Sequence, residues 1–201
     1  MDGYYYGILD VFYAEMTTED TAAANAVYGD PVVLGKSIGV TITPAYREGK
    51  LHASNARVRD KKLIDSYGVK ITADQIAPSV RNILLGRKID GKGVQIIKGT
   101  NEPAKVAIAF ARTLDDGSKE LWWLYKGTFC EMTVDSKTDG DGNIEYQNPS
   151  IEGTFVRRIY DNNLAAVVNT NQDGIGADVE SGWFTKVYEE APATPAPEGG
   201  A

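Results

Sequence analysis

Two stretches separated by a break rich in glycine and aspartate constrain this chain more than anything else in it. The first, Leu121-Trp122-Trp123-Leu124-Tyr125-Lys126-Gly127-Thr128-Phe129, is dense in aromatic residues. The second, Tyr146-Gln147-Asn148-Pro149-Ser150-Ile151-Glu152-Gly153-Thr154-Phe155, ends in a short alternating run. Aromatic side chains favour a pleated, half-buried surface, and alternation places every second residue on one face of a strand. Between the two, Thr138-Asp139-Gly140-Asp141-Gly142-Asn143 supplies residues that tolerate positive φ and close tight turns. The expectation is an antiparallel hairpin with more aromatic surface than one buried face needs.

Strand patterns recur on both sides of it. Residues 6–16 read as an opening strand through Ile8, Val11, Phe12 and Tyr13, and 17–26 as a polar loop. A Gly29-Asp30-Pro31 turn feeds the apolar run at Val32, and Ile38, Val40 and Ile42 alternate along 37–43. The segment 45–62 carries Arg47, Glu48, Lys50, His52, Arg57 and Arg59 with few core formers and reads as an exposed excursion. The chain then returns as a strand over 63–72. Pro78 suits a first helical position and Gly86 a left-handed cap, with Val80, Ile83 and Leu84 at helical spacing between them. Gly91-Lys92-Gly93 marks a turn. Residues 104–112 alternate small and large side chains as a buried strand, and Asp115-Asp116-Gly117-Ser118 turns into the aromatic segment, making a second hairpin. The strand pattern resumes over 164–168, and Asp178 is placed to cap a short helix running through Trp183 and Phe184. The reading is a mainly β fold, a sandwich or barrel with one flanking helix. It forms one domain over 1–190, followed by a flexible Pro/Ala/Gly-rich tail at 191–201.

Composition narrows the function. The 201 residues suit a single domain with a real core. With 28 acidic against 21 basic residues the net charge is −7, which opposes a surface built to grip phosphate backbones. An acidic wall does suit a conduit along which a polyanion slides without sticking. Cys130 is the only cysteine, so neither an intramolecular disulfide nor a multi-thiolate metal site is expected; with no activating cation beside it, it reads as a small buried side chain. The opening residues lack the basic and apolar regions of a signal peptide. The longest apolar stretch, 106–111, is far short of the roughly 20 residues a membrane-spanning helix needs, so no membrane insertion is expected.

Motifs that carry chemistry fail on inspection. Gly35-Lys36-Ser37 ends a run resembling a phosphate-binding loop, but five residues separate Gly29 from Gly35 where four are required, and a strand follows where a helix is needed. Asp139, Asp141 and Asn143 imitate the first ligands of a calcium loop. Ile144 then stands where glycine is needed and Ser150 where a bidentate glutamate is needed. His52 is the only histidine and lies in none of the nucleophile motifs. Trp122, Trp123 and Tyr125 could stack on a sugar. Consecutive residues of a strand point to opposite faces, however, so one tryptophan is expected in the core and the other at a protein interface, where aromatic anchors are enriched. No catalytic residue, cofactor or metal is expected, and the chain does not read as an enzyme.

One family carries the same elements in the same order. Tyr6-Gly7-Ile8-Leu9-Asp10-Val11-Phe12-Tyr13-Ala14, Tyr28-Gly29-Asp30-Pro31-Val32, the aromatic segment 121–129, Ile151-Glu152-Gly153-Thr154-Phe155 and Trp183-Phe184-Thr185-Lys186-Val187-Tyr188 together resemble the phi13-type major tail proteins, the tail tube proteins of long-tailed bacteriophages. The resemblance spans nearly the whole chain. It implies a tail-tube fold whose subunits form hexameric rings that stack into a tube. Such a virion structural protein, assembled in the bacterial cytoplasm, encloses the tape-measure protein, meets tail terminator and distal tail or baseplate proteins, and conducts DNA without binding it specifically. The resemblance makes 45–62 the loop that reaches a neighbouring subunit. Arg47, Glu48, Lys50, His52, Arg57 and Arg59, with Trp122 and Trp123, are then the candidate inter-subunit residues. Two alternatives are the tube of a contractile tail, phage-like bacteriocin or type VI secretion system, and a carbohydrate-binding β-sandwich using Trp122 or Trp123.

Overall fold

The computed structural model describes residues 3–53, 56–134 and 146–191, with the backbone alone for 50–53, 56–60 and 177. Twelve strands and two short helices follow one another along these residues. They are β1 (Tyr5–Ile8), β2 (Val11–Thr18), β3 (Val27–Tyr28), β4 (Val32–Gly35), β5 (Ser37–Ala53), β6 (Ala56–Ala73), α1 (Pro78–Leu84), β7 (Lys88–Ile89), β8 (Gln95–Ile96), β9 (Val106–Leu114), β10 (Lys119–Phe129), β11 (Ser150–Val156), β12 (Ala165–Asn169) and α2 (Ala177–Gly182). The fold is mainly β, and every strand pairing is antiparallel.

At the centre lie β9 and β10, joined by the Asp115–Ser118 turn that the sequence announces, with Gly117 at φ 83°. On one side β9 pairs with β1 and then β2, which in turn carries β3 and β4. On the other, β10 pairs with β12 and then β11, and the sheet continues through β6 to β5. The expected opening strand is therefore two strands, broken at Leu9 and Asp10. The expected aromatic hairpin is present as a pairing of Lys126–Phe129 with Gly153–Val156; residues 146–149 precede the strand, and the turn at 138–143, Asp139, Asp141 and Asn143 included, lies outside the described residues.

Alternation along β9 explains why both faces of this pair are buried. Val106, Ile108 and Phe110 enter one core with Val11, Tyr13, Leu34, Val69, Ile71, Leu124, Phe129, Ile151 and Phe155. Residues from β2 and β4 at one end of the sheet thus share a core with residues from β6 at the other. Lys36 alone separates β4 from β5, so the sheet curls around this first core. Helix α1 closes it with Val80 and Leu84. Pro78 stands in its first turn, and Gly86, at φ 63°, follows its end as predicted, while Ile83 faces solvent. On the opposite face, Ala107, Ala109 and Ala111 leave room for Leu121, Trp123 and Tyr125, and Trp183 and Val187 cover them. Two helices are present among the described residues, the flanking helix expected from Pro78 and Gly86 and the short one expected after Asp178. The second begins after Gly176, without a side-chain cap, and ends at Gly182, short of Trp183 and Phe184; Asp178 lies not at the cap but inside its first turn, where its negative charge complements the positive end of the helix dipole.

Two further expectations change. The segment 45–62 is exposed where its side chains are described, but it is a ribbon rather than a loop: β5 and β6 stay paired from Ser37 and Ala73 out to Ala53 and Ala56. Cys130 is exposed, not buried, because β10 ends at Phe129 and the chain leaves the sheet there. The tail at 192–201 lies outside the described residues.

Candidate functional site

The β5–β6 ribbon sets the most distinctive surface. The sheet partner of β6 is β11, and that pairing ends at Ser66 opposite Val156. Beyond Ala45 and Ser66, among the described residues, the ribbon pairs only its own two strands, and eight residues of β5, Tyr46 to Ala53, extend past the end of the β11 pairing. At about 3.3 Å per residue this is an arm of roughly 26 Å. Two strands without a supporting face are marginal in water, so an arm of this length gains most of its order from what it packs against.

Its described side chains suit packing against protein. Tyr46, Leu63 and Ile64 are 48, 41 and 42 % exposed. Lys62 pairs with Glu48 at 3.3 Å across the ribbon and sits over the Tyr46 ring at 4.4 Å from its centre. The structure thus places Arg47 and Glu48 on the arm, exposed, in register with Leu63 and Lys62. Lys50 stands opposite Asp60, and His52 opposite Arg57, with Arg59 opposite Leu51. The side chains of Lys50, His52, Arg57 and Arg59 lie outside the described residues.

The tryptophans are not part of that arm. Trp123 is fully buried, and its indole N–H donates to the carbonyl of Trp183 at 3.0 Å. It is core, and no neighbour reaches it, because α2 and the segment after it cover that face. Trp122 points the other way, as expected. Its ring stacks on Phe110 at 5.9 Å and its N–H donates to Glu120 at 2.8 Å. It borders a groove of about 470 Å³ between the base of the arm, at Val40, Ile42, Pro44 and Tyr67, and the central pair, at Phe110 and Arg112. Arg112 is engaged there, ion-paired to Glu120 at 3.2 Å and stacked on the Tyr5 ring at 3.5 Å.

A buried polar cluster went unread in the sequence. A bulge lets Leu124–Gly127 of β10 oppose only Ile108–Val106 of β9, which brings Tyr125 and Lys126 to the same side of the sheet. Lys126 pairs with Asp20, which the loop 19–26 carries into the protein; Asp20 also accepts hydrogen bonds from the backbone N–H groups of Ile159 and Tyr160. Burial alone would raise the Asp20 pKa, but the Lys126 ammonium and those N–H donors outweigh it and hold the carboxyl below its ordinary value. Beside it, Arg158 is completely enclosed, stacked on Tyr125 at 4.1 Å and paired with Asp161 and Glu189. Desolvation would lower the Arg158 pKa; the two carboxylates overcome it and raise it. Asp161 is likewise held low, its burial offset by Arg158 and the Asn163 N–H. Burial pushes the Tyr28 and Tyr125 phenols up, and the Tyr28 hydroxyl donates to the Tyr125 carbonyl at 2.9 Å. Asp20, Lys126, Arg158, Asp161 and Glu189 thus engage one another or backbone N–H groups, and the network clamps the loop 19–26 and the segment around Glu189 together.

Among the described residues no three His, Cys, Asp or Glu side chains are grouped to hold a metal ion, and no helix is long and apolar enough to cross a membrane. Compared with protein-family models and with curated proteins, the chain matches none.

Proposed function

We propose that this chain is a tube-forming virion protein, whose copies assemble into hexameric rings that stack as the tail tube of a phage and conduct its genome to the host. The observation that carries the reading is the β5–β6 arm. A ribbon reaching roughly 26 Å past its sheet, bearing tyrosine, aliphatic and paired charged residues, is built to lie on another protein surface. Among the described residues β6 is the only strand that pairs with β5, and strand addition along β5 is one way a neighbour would join the arm. The order of sequence elements and the mainly β architecture agree with a tail-tube fold, and the net charge of −7 suits a lumen that lets DNA slide. Tape-measure, terminator and distal tail proteins are the partners this reading implies, and the virion tail is the site of action. Negative-stain electron microscopy of the purified protein tests it: rings or tubes are expected, and a persistent monomer with ligand affinity would sink the reading.

The groove beside Trp122 favours one second reading, a carbohydrate-binding module. It requires glycan affinity that Trp122→Ala abolishes in a protein that does not self-associate.

A further inference from the structure

The segment after α1 is out of keeping with the rest of the protein. Residues 87–98 hold Arg87, Lys88, Lys92 and Lys98 against Asp90 alone, in a chain of net charge −7. Within it β7 and β8 form a separate two-stranded sheet, Lys88 opposite Ile96 and Ile89 opposite Gln95. Its apolar side chains face water: Ile89, Val94, Ile96 and Ile97 are 57, 52, 38 and 60 % exposed. Strands of two residues have no core of their own to hold them. The ribbon is nonetheless held by its own turn and by Arg87. The Asp90 carboxylate accepts from the N–H groups of Lys92 and Val94, each at 2.8 Å, and Arg87 pairs with Glu131 while donating to Gln95 at 3.3 Å. A preformed ribbon showing four aliphatic side chains among lysines has little ordering cost left to meet on binding, and its charge selects an acidic partner.

The chain itself supplies such a partner. Residues 161–190 contain Asp161, Asp173, Asp178, Glu180, Glu189 and Glu190 against Lys186 alone. Asp161 and Glu189 are engaged with Arg158, and Glu180 with Lys119, whereas Asp173 and Asp178 are exposed at the loop and first turn of α2. The basic ribbon and the acidic segment belong to opposite faces of the β9–β10 pair. The ribbon continues from α1, which packs on the first core, and α2 leads into Trp183 and Val187, which cover the second. One copy cannot bring them together across its own sheet. Two copies in the same orientation can, and the contact then repeats head to tail, closing into a ring where the rotation between copies allows.

We infer that the β7–β8 ribbon docks on the acidic 173–180 surface of a second copy of this chain. The inference rests on the self-assembly reading above and names two surfaces that meet. Its test uses the full chain in two charge-reversed forms, a ribbon variant K88E/K92E and an acidic-face variant D173K/D178K, with circular dichroism to verify folding and sedimentation velocity to read association. Each variant alone is expected to associate at least roughly tenfold more weakly than the unmodified chain, since like charges then face each other. An equimolar mixture is expected to recover association, because every ribbon meets an oppositely charged face. Variants that associate as the unmodified chain does, or a mixture that stays dissociated, would overturn the docking inference while leaving self-assembly in place. An unmodified chain that remains monomeric at every concentration would overturn both.

Discussion

Gly127 and Phe155 face each other across the β10–β11 ladder, and the Phe155 ring occupies the space a side chain at 127 would need: a Cβ there would lie 2.3 Å from it. The relationship is reciprocal two residues on. Phe129 pairs with Gly153, whose own Cβ would meet the Thr128 carbonyl at 2.7 Å and the Phe129 ring at 2.8 Å. The two rings meet edge to face at 5.8 Å inside the first core. Each glycine is thus covered by the aromatic residue opposite it, which fixes the register of this ladder by shape. Gly127→Ala is expected to destabilise the fold by about 1–3 kcal/mol through overpacking, and Phe155→Ala by about 3–5 kcal/mol through the cavity it leaves. In urea unfolding the double variant Gly127→Ala/Phe155→Leu should cost clearly less than the sum of its single changes, because the smaller residue at 155 vacates the space. Strict additivity would show that the two positions do not compete for one volume.

Arg158 ties the end of the chain to the sheet. It donates to both Glu189 oxygens, at 2.7 and 2.9 Å, while Asp161 holds its other edge. Arg158→Ala leaves half-buried Asp161 without its partner and opens the space against the Tyr125 ring, and is expected to cost about 3–5 kcal/mol. Glu189 is 41 % exposed at its side chain, so water compensates its loss, and Glu189→Gln should cost no more than about 1 kcal/mol. Chemical denaturation of the two variants measures the ratio. Equal costs would mean that the whole contribution of Arg158 depends on the Glu189 charge, with Asp161 adding nothing.

Acid should weaken the same region through Asp20 and Asp161. Both carboxyls are held below their unfolded values, so each binds its proton more weakly in the folded chain. Their contribution is complete above the unfolded aspartate pKa, about 3.9, and is lost as pH falls through the lower folded values. Thermal melts taken from pH 6 downward should therefore be flat until about pH 4 and then fall. Asp20→Asn, which cannot ionise, should lower the whole curve and reduce its slope below pH 4. A slope unchanged by this substitution would remove Asp20 from the acid response.

What the sequence makes legible is whatever burial writes as a local pattern. Val106, Ile108 and Phe110 alternating with Ala107, Ala109 and Ala111 foretell a strand buried on both faces, and Pro78 and Gly86 bracket α1. The arm is the opposite case. A ribbon past the sheet has no buried face within its own chain, so charges stand at successive positions and 45–62 looks like a loop. Trp122 and Trp123 were separable by strand alternation, but that rule could not say which one the chain covers itself; Trp183, 60 residues later, decides it. The Asp20–Lys126 pair spans 106 residues and depends on a bulge that shifts the phase of β10 at Tyr125, a shift no local periodicity encodes. Arg157 and Arg158 are adjacent and chemically identical, and only the path of the chain after β11 selects Arg158 for burial.

Removing the arm separates folding from assembly. Ala45 and Ser66 are in register, the last pair before the ribbon outruns β11, so replacing 46–65 with a two-residue Asn-Gly turn closes the hairpin where the sheet ends. Both cores lie on the sheet side of that junction and keep all their members. The shortened protein should therefore unfold within about 1 kcal/mol of the full chain, since the described side chains removed, at 46–49 and 61–65, are exposed and a shorter loop costs little entropy to close. Its assembly should be abolished, with no rings or tubes under conditions in which the full chain forms them. Shortened protein that still assembles would show that the arm is not what joins the copies. Shortened protein that fails to fold would show that the arm belongs to the folding core rather than to the interface.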